Sequence, residues 1–311
     1  MSFSAEVKAE LTRIEIEKNC CMLAQLSAVL RMNGDLVIRR GNFGINFITE
    51  NAALARQVLK LLKQQFKVST EVVVTRSRRL KKNNRYQVRI LPAAEVLPVV
   101  NSLRLLPGDD GRLENDLLLS PCCRRCFLRG VFMASGSVNK PEGDYHLEII
   151  TSNKNFADTI LRVMKYFDLP VKLTDRKNEY IIYLKGGDYI INFLSVIGAH
   201  NALLKFENVR VVKQMRNQVN RLVNCETANL DKTVQAALRQ VESINFLKSK
   251  EQYWCELTVA LREAAELRLA YPDSTLSELV ELNDSNISKS GINHRLKKIE
   301  RLAIELGMER K

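Results

Sequence analysis

The sequence has few features of an exported, membrane-spanning or nucleotide-hydrolysing protein. Its N-terminus lacks the apolar segment of a signal peptide, and no apolar run approaches the about 18 residues that a transmembrane helix needs. It has no glycine-rich phosphate loop, and its three histidines show no metal-ligand spacing. We therefore expect a cytoplasmic protein with no membrane partner, whose odd number of cysteines, seven, stays reduced.

The most informative property of the composition is its excess of positive charge. The chain has 311 residues, a formal net charge of +13 and an isoelectric point of about 9.5. This length predicts about two domains. A basic excess of this size favours a polyanionic partner such as double-stranded DNA, because neutralising phosphates releases counterions. A generically basic globular protein is the alternative.

The first two-thirds of the chain repeat themselves with a constant shift of 102 residues. Three separated segments obey this shift, and they pair Cys20-Cys21 with Cys122-Cys123, Leu26–Gly34 with Leu128–Gly136, and Ile48–Asn51 with Ile150–Asn153. The period is too long and the copies are too few for a solenoid. We therefore expect two copies of one unit, related by a pseudo-two-fold axis.

Hydrophobic periodicity predicts an α+β fold in which each copy has the order α-β-β-α-β-β-α. The duplicated domain covers residues 1–200, with copies at about 1–105 and 121–200. A helical connector at 201–246 follows it. Residues 247–311 are predicted to form an all-α helix-turn-helix domain.

Two local details of this prediction can be checked directly. The first helix is expected over residues 4–18, with Ser4 as its N-cap. The helix that opens the C-terminal domain is expected to run unbroken over residues 251–270, because Pro272 is the first residue that stops it.

The repeated nine-residue segments resemble the LAGLIDADG motif of homing endonucleases, which pair two such helices at the centre of a saddle-shaped fold. Ser27, Ala28 and Gly130 are small enough for close helix contact. In that family, the last acidic residue of each motif holds divalent metal at the scissile phosphates. This chain has Asn33 and Ser135 there, and neither neutral side chain supplies the charge that a magnesium site needs.

The resemblance therefore implies a retained architecture with no catalytic residues, and the protein is not expected to be an enzyme. Asp35 lies close to the degenerate position, but its counterpart in the second copy is Ser137. A residual site-specific, metal-dependent DNA endonuclease is kept as the alternative function. An unrelated core built from two paired helices is the structural alternative.

A dense basic stretch of the first copy falls where the saddle-shaped sheet of that family grips DNA. It contains no acidic residue and comprises Arg76, Arg78, Arg79, Lys81, Lys82, Arg85 and Arg89. We expect these residues to contact phosphates. A solvated charged loop is the alternative reading, and the lack of interleaved aromatic residues argues against a platform for single strands.

The C-terminal region has the pattern of a helix-turn-helix domain. Thr275 with Glu278 fits a capping box, and the run Asn283-Asp284-Ser285-Asn286 fits a turn. A third helix is expected from Ser288 to Leu306, and its buried face is expected to consist of Ile292, Leu296, Ile299 and Ala303. The predicted base readers on this helix are Lys289, Ser290, Asn293 and His294, and the predicted phosphate contacts are Lys297, Lys298 and Arg301. A three-helix bundle with a solvated face is the alternative.

The cysteine pairs suggest a zinc or iron–sulfur site, but their spacing does not match a zinc knuckle. Two adjacent thiols rarely serve one tetrahedral ion. Cys20-Cys21 and Cys122-Cys123 also recur by the repeat, at the start of each core helix, where small buried side chains explain them. The sequence therefore predicts neither a metal nor a cofactor.

Four segments together resemble the WhiA-type regulators of Gram-positive bacteria, and they are Cys122–Arg125, Leu128–Val138, Asn220–Asn229 and Ile287–Leu296. Such regulators join a degenerate two-motif LAGLIDADG domain to a helix-turn-helix similar to sigma-factor region four. The resemblance implies a nucleoid-associated protein that binds double-stranded DNA. It acts in sporulation gene control in some bacteria, and in cell division and chromosome segregation in others. Further partners among transcription or division proteins remain open.

Overall fold

The structure, a computed structural model, describes residues 2–76, 84–282 and 287–308. The chain divides into two compact units, Met1–Gln214 and Met215–Lys311. The first unit mixes helices and strands, and the second is helical. Among the described helices, none is both long enough and apolar enough to cross a lipid bilayer.

The first unit contains the two predicted copies, preceded by helix α1 (Phe3–Leu11). The first copy comprises α2 (Asn19–Asn33), β1 (Gly34–Arg39), β2 (Asn42–Thr49), α3 (Ala52–Gln65), β3 (Thr70–Arg76), β4 (Asn84–Ile90) and α4 (Val96–Ser102). A linker follows, with a 3-10 turn at Asp109–Arg112 and α5 (Leu113–Asp116). The second copy comprises α6 (Pro121–Ser135), β5 (Gly136–Val138), β6 (His146–Thr151), α7 (Lys154–Lys165), β7 (Lys172–Arg176), β8 (Glu179–Lys185) and α8 (Gly187–Ile197). Both copies therefore have the predicted α-β-β-α-β-β-α order.

Each copy builds a four-stranded antiparallel sheet with the same topology, in the orders β1-β2-β4-β3 and β5-β6-β8-β7. Alternate side chains of a strand point to opposite faces. One face of each sheet packs on the helices through buried residues such as Phe47, Val88 and Leu147. The other face carries Asn46, Gln87 and Glu148, which are not buried. We call this second face the saddle face.

The two central helices, α2 and α6, pack directly against each other. A Cβ atom placed on Gly130 of α6 would lie 2.7 Å from the carbonyl oxygen of Gln25 and 2.9 Å from the Cβ of Ala28, both on α2. Real Cβ atoms do not approach so closely, so only glycine permits this contact. Ser27, also on α2, is buried and donates a hydrogen bond to the carbonyl of Leu103 at 2.7 Å.

The first helix is shorter than the sequence predicts. α1 ends at Leu11, and its N-cap is Ser2, whose hydroxyl accepts a hydrogen bond from the Ala5 N–H at 3.3 Å. The expected cap, Ser4, lies inside the helix. Its hydroxyl exchanges 2.8 Å hydrogen bonds with the backbone of Val138 on β5. The prediction of a helix over 4–18 with Ser4 as its cap was therefore wrong, because the helix ends at Leu11 and Ser4 bonds a strand of the second copy instead of capping its own helix.

The second unit begins within one long helix, α9 (His200–Ser249), which supplies Phe206 to the core of the first unit and Ile244 to that of the second. The helices that follow are α10 (Glu251–Glu256), α11 (Val259–Ala270), α12 (Leu276–Glu281) and α13 (Lys289–Glu305). The predicted helix over 251–270 is broken, because the backbone at Leu257 and Thr258 is extended. This break lets Leu257 join the core.

The core of the second unit holds α13 in place. The predicted buried face of this helix is confirmed, since Ile292, Leu296, Ile299 and Ala303 are all buried. The predicted capping box of α12 is also present, with Glu278 accepting from the Thr275 N–H at 2.7 Å and Thr275 accepting from the Glu278 N–H at 3.3 Å. The predicted turn at 283–286 lies outside the described residues.

The contact at Gly130 generates a stability prediction. Replacing Gly130 by alanine should destabilise the first unit by about 1–3 kcal/mol, because the added methyl group overlaps α2. Urea unfolding followed by circular dichroism measures this loss. The single tryptophan, Trp254, lies in the second unit, so its fluorescence should report an unchanged transition there.

Gly111→Ala is the matched control for this substitution. A Cβ on Gly111 has no neighbour within 4 Å. It should be neutral or stabilise the unit by less than about 1 kcal/mol. Equal unfolding midpoints for the two alanine variants would contradict the close approach of α2 and α6.

Candidate nucleic-acid interface

Helix α13 presents a polar face on the side opposite its buried residues. Six of the seven predicted contact residues on it are exposed, namely Lys289, Ser290, His294, Lys297, Lys298 and Arg301. The helix begins at a firm cap, because the hydroxyl of Ser288 accepts a hydrogen bond from the Gly291 N–H at 3.2 Å. Such a face, with basic and hydrogen-bonding side chains together, has the chemistry needed to contact base edges and phosphates.

Asn293, the seventh predicted residue, is half-buried. It lines a groove of about 440 Å³ that is also lined by Lys232 and Arg239 of α9 and by the start of α12. We therefore distinguish a groove side of α13, with Lys289, Asn293 and Lys297, from an open side, with Ser290, His294, Lys298 and Arg301. The contribution of α9 to this groove is missed by the sequence analysis, since Lys232 and Arg239 lie in a segment that reads only as a connector.

A buried arginine holds the segment that connects α11 to α12. Arg268 is 2% exposed and donates hydrogen bonds to the backbone carbonyls of Tyr271 and Pro272 at 3.4 Å and of Ser274 at 2.6 Å. Burial lowers the pKa of Arg268 from its usual value. Three carbonyl acceptors partly compensate for this buried charge. The segment between α11 and α12 is thereby tied to the core on which α13 rests.

The first sheet carries only part of the predicted basic stretch on its saddle face. Arg85 and Arg89 of β4 alternate with the buried Val88 and therefore lie on the saddle face. Arg89 donates a 2.7 Å hydrogen bond to Gln87 on the same face. Arg76 pairs with Asn84, so it projects from the opposite face of the sheet, where it is exposed. This placement corrects the expectation that Arg76 shares a face with Arg85.

The strand register also adds a residue to this surface. Arg39 of β1 pairs with Asn42 of β2. Asn42 is four residues from Asn46 on the same strand, so Asn42 and its partner Arg39 both lie on the saddle face. The four remaining residues of the predicted stretch, Arg78, Arg79, Lys81 and Lys82, lie outside the described residues. The charged residues on the saddle face of the first sheet are thus Arg39, Arg85 and Arg89, with Glu71 opposite Arg89 and Asp35 opposite Asn46.

The saddle face of the second sheet is mixed in charge. Its basic residues are Lys172, Arg176 and Lys185, and its acidic residues are Glu148 and Glu179. His146 lies 3.3 Å from Glu148 and stacks on Tyr183 with ring centroids 6.0 Å apart. Lys185 lies 5.6 Å from the centre of the same tyrosine ring. The aromatic pair distinguishes this sheet from the first one.

The degenerate motif positions lie where α2 and α6 end. Asn33 lines a cavity of about 510 Å³ together with Lys8, Glu50 and Arg85. Burial lowers the pKa of Lys8 to about 8. The hydroxyl oxygen of Ser135 is buried and has no hydrogen-bond partner within the described ranges. A cavity with two basic side chains and one carboxylate does not offer the donor set that a divalent cation needs.

Asp35, the acidic residue nearest the degenerate position, lines a different cavity. This cavity of about 290 Å³ also contains Arg31, Asp110 and Asn153. Arg31 forms an ion pair with Asp110 and hydrogen-bonds the carbonyl of Arg104. Burial lowers the pKa of Arg31 despite the opposing effect of Asp110. The structure therefore does not bring Asp35 together with Asn33 in one cavity.

Two motif helices at the centre of a duplicated α+β domain, followed by a helix-turn-helix unit, define a class of LAGLIDADG-like DNA-binding proteins. Three family descriptions match this chain: the WhiA N-terminal LAGLIDADG-like domain over residues 19–105, the WhiA LAGLIDADG-like domain over 124–216 and the WhiA C-terminal HTH domain over 219–303. The chain belongs to the WhiA family.

Relatives and a solved structure support this assignment over the full length. The chain is 50% identical to a probable cell division protein WhiA of Desulforamulus reducens, covering 98% of this chain and 96% of the relative. It is 49% identical to the protein of the same name in Bacillus licheniformis, covering 98% and 97%. The crystal structure of full-length WhiA from Thermotoga maritima superposes with a TM-score of 0.61 at 25% identity, covering 99% and 100%.

Proposed function

We propose that the protein is a sequence-specific DNA-binding regulator in which α13 reads the target site. The observation that carries this proposal is the exposed polar face of α13, held on a buried apolar face and a firm N-cap. The WhiA C-terminal HTH domain that covers this helix supports it. In helix-turn-helix proteins, the N-terminal residues of the second helix contact base edges in the major groove.

The seven residues divide into two roles. Ser290, Asn293 and His294 lie in the first two turns, where hydrogen-bonding side chains read bases, and asparagine pairs with adenine in bidentate fashion. Lys289 shares this end of the helix. Lys297, Lys298 and Arg301 lie further along and contact phosphates. The half-buried position of Asn293 limits its rotamers, which favours a fixed hydrogen-bonding geometry.

The test uses the full chain and a duplex selected from a random-sequence pool. His294→Ala and Asn293→Ala should each reduce the preference for this duplex over a scrambled one by roughly 5–150-fold, which corresponds to about 1–3 kcal/mol per base contact. Lys298→Ala should weaken both complexes equally, because a phosphate contact carries no sequence information. Gel-shift titrations of the wild type and of the three variants with both duplexes measure these affinities. A parallel loss on both duplexes for His294→Ala and Asn293→Ala would refute base reading by α13.

We propose further that the saddle face of the first sheet adds phosphate contacts. Arg39, Arg85 and Arg89 lie on one face, and the polar chain of Asn46, Gln87 and Arg89 keeps that face hydrated rather than apolar. A protein-contact surface without a DNA role is the competing reading.

Arg76 lies on the face opposite Arg85 and Arg89, so its substitution serves as a control for this proposal. The double variant Arg85→Gln with Arg89→Gln should reduce the slope of log affinity against log salt concentration by about 2, since each phosphate contact contributes about 1. Arg76→Gln removes one positive charge from the same strand pair but from the other face, and it should leave the slope unchanged, whereas each single variant on the saddle face should lower it by about 1. An unchanged slope in the double variant, or an equal loss in Arg76→Gln, would exclude this surface as a DNA contact.

We also propose that the protein does not cleave DNA. Supercoiled plasmid incubated with the protein and either magnesium or manganese should stay intact, because Asn33, the buried Ser135 and the cationic Lys8 cannot assemble a divalent site. Conversion to nicked circles that disappears with Asp35→Asn would establish residual nuclease activity and overturn this part. Nicking that survives Asp35→Asn would point to a contaminating enzyme.

The cellular role is proposed from the relatives. Proteins about 50% identical to this chain are named probable cell division protein WhiA. We therefore propose a nucleoid-associated regulator linked to cell division and chromosome segregation, or to sporulation where the organism sporulates. In this proposal residues 1–200 supply the saddle, 201–246 the connector and 247–311 the base-reading unit. Other transcription or division proteins are proposed as further partners.

A further inference from the structure

Two pairs of adjacent cysteines, which are about a hundred residues apart in the sequence, lie together in the fold. Cys20 and Cys21 open α2, and Cys122 and Cys123 open α6. The four sulfur atoms all lie within 4.8 Å of one another. In the described part of the chain, this is the one group of three or more His, Cys, Asp or Glu ligand atoms close enough to hold a metal ion.

The sulfur positions fit a single tetrahedral ion. A zinc–sulfur bond of about 2.3 Å places neighbouring sulfurs of a tetrahedral site about 3.8 Å apart. Shifts of about an ångström, within the reach of side-chain rotamers, bring the four thiols from their present separations to that geometry. Ligands of an iron–sulfur cluster bind different irons and must stand further apart. We propose that Cys20, Cys21, Cys122 and Cys123 bind one zinc ion that joins the N-terminal ends of the two central helices.

The helix ends provide hydrogen-bond donors for such a site. Each cysteine pair occupies the second and third positions of a helix, where backbone N–H groups have no intrahelical acceptor. The N-cap residues Lys18 and Ser120 make no side-chain capping bond, although serine is a preferred cap. The Cys21 N–H already donates to the carbonyl of Lys18 at 3.0 Å, which leaves the N–H groups of Cys20, Cys122 and Cys123 for the thiolate sulfurs. Two helix N-termini also favour negative charge at this point.

An independent observation is a half-buried cation without a carboxylate partner among the described residues. The guanidinium of Arg129 approaches the sulfur of Cys126 to 4.0 Å, one turn after Cys122 and Cys123, and it donates a 2.8 Å hydrogen bond to the carbonyl of Ile197. Burial lowers the pKa of Arg129. Within residues 2–76, 84–282 and 287–308, no carboxylate forms an ion pair with it. A tetrathiolate zinc centre carries two negative charges and so supplies the missing counter-charge.

The thiols must lose protons when the metal binds. Burial raises the pKa of Cys21, and it raises the pKa of Cys123 to about 12, whereas hydrogen bonding with Cys21 lowers the pKa of Cys122. Binding of Zn²⁺ forms four sulfur–zinc bonds and releases the four thiol protons to solvent, with no change of oxidation state. The ion would connect the two copies across the pseudo-two-fold axis, in addition to the helix contact at Gly130.

The experiment uses the full chain, purified under reducing conditions without chelators. Elemental analysis should find about one zinc ion per chain. Metal-free protein titrated with Co²⁺ should develop thiolate-to-cobalt charge-transfer absorption and the intense visible bands of a tetrahedral site. Cys20→Ser with Cys122→Ser should reduce the zinc affinity at least about 100-fold, measured by competition with a chromogenic chelator.

The control is Cys225→Ser with Cys255→Ser, which removes two exposed cysteines away from the cluster. This variant should retain full zinc content and the cobalt spectrum. Wild-type protein that binds neither zinc nor cobalt after reconstitution would overturn the proposal, even if the Cys20/Cys122 variant fails to fold. Iron in place of zinc, a disulfide between the pairs, or full zinc in the Cys20/Cys122 variant would overturn it as well.

Discussion

The close approach of α2 and α6 is the constraint on which the first unit depends. Gly130 permits it, since any side chain there would collide with the backbone of Gln25. Both strands that follow start directly at the helix ends, at Gly34 and Gly136, so the helix pair also fixes where the two sheets begin. The same pair brings the first residues of both helices together at one end and the degenerate motif residues at the other. The cysteine pairs and the degenerate motif residues, which look unrelated in the sequence, therefore lie at opposite ends of the same pair of helices.

The sequence was sufficient to predict the architecture because the repeat and the hydrophobic periodicity are both local signals. The unit order, the fold class and the buried face of α13 follow from them. The first helix and the helix over 251–270 could not be predicted correctly, since tertiary contacts decide both. Ser4 bonds Val138, 134 residues away, instead of capping its own helix. Leu257 leaves the helix to fill the core of the second unit.

The sequence shows which segments are rich in basic residues, but it does not show which of these residues lie on the same face of a sheet. Basic residues in a strand divide between two faces according to register, and register is not encoded in the charge pattern. Arg85 and Arg89 are an even number of residues apart and share a face, whereas Arg76 is separated from them by a hairpin whose pairing decides the outcome. The groove beside Asn293 depends in the same way on α9, because Lys232 and Arg239 reach it only in the folded unit.

The two ends of the central helix pair carry opposite electrostatic requirements. Helix C-termini disfavour negative charge, so two carboxylates there need a bound cation to be stable. Here that end has the neutral side chains of Asn33 and Ser135, and Lys8, Glu50 and Arg85 line the cavity at Asn33. Helix N-termini favour negative charge, and that end has four converging thiols and the half-buried guanidinium of Arg129. The distribution of charge along the pair thus disfavours a divalent cation at the former catalytic end and favours an anionic cluster at the other. The paired helices are therefore held together by close packing at Gly130, and no carboxylate at the motif positions Asn33 and Ser135 takes part in that packing.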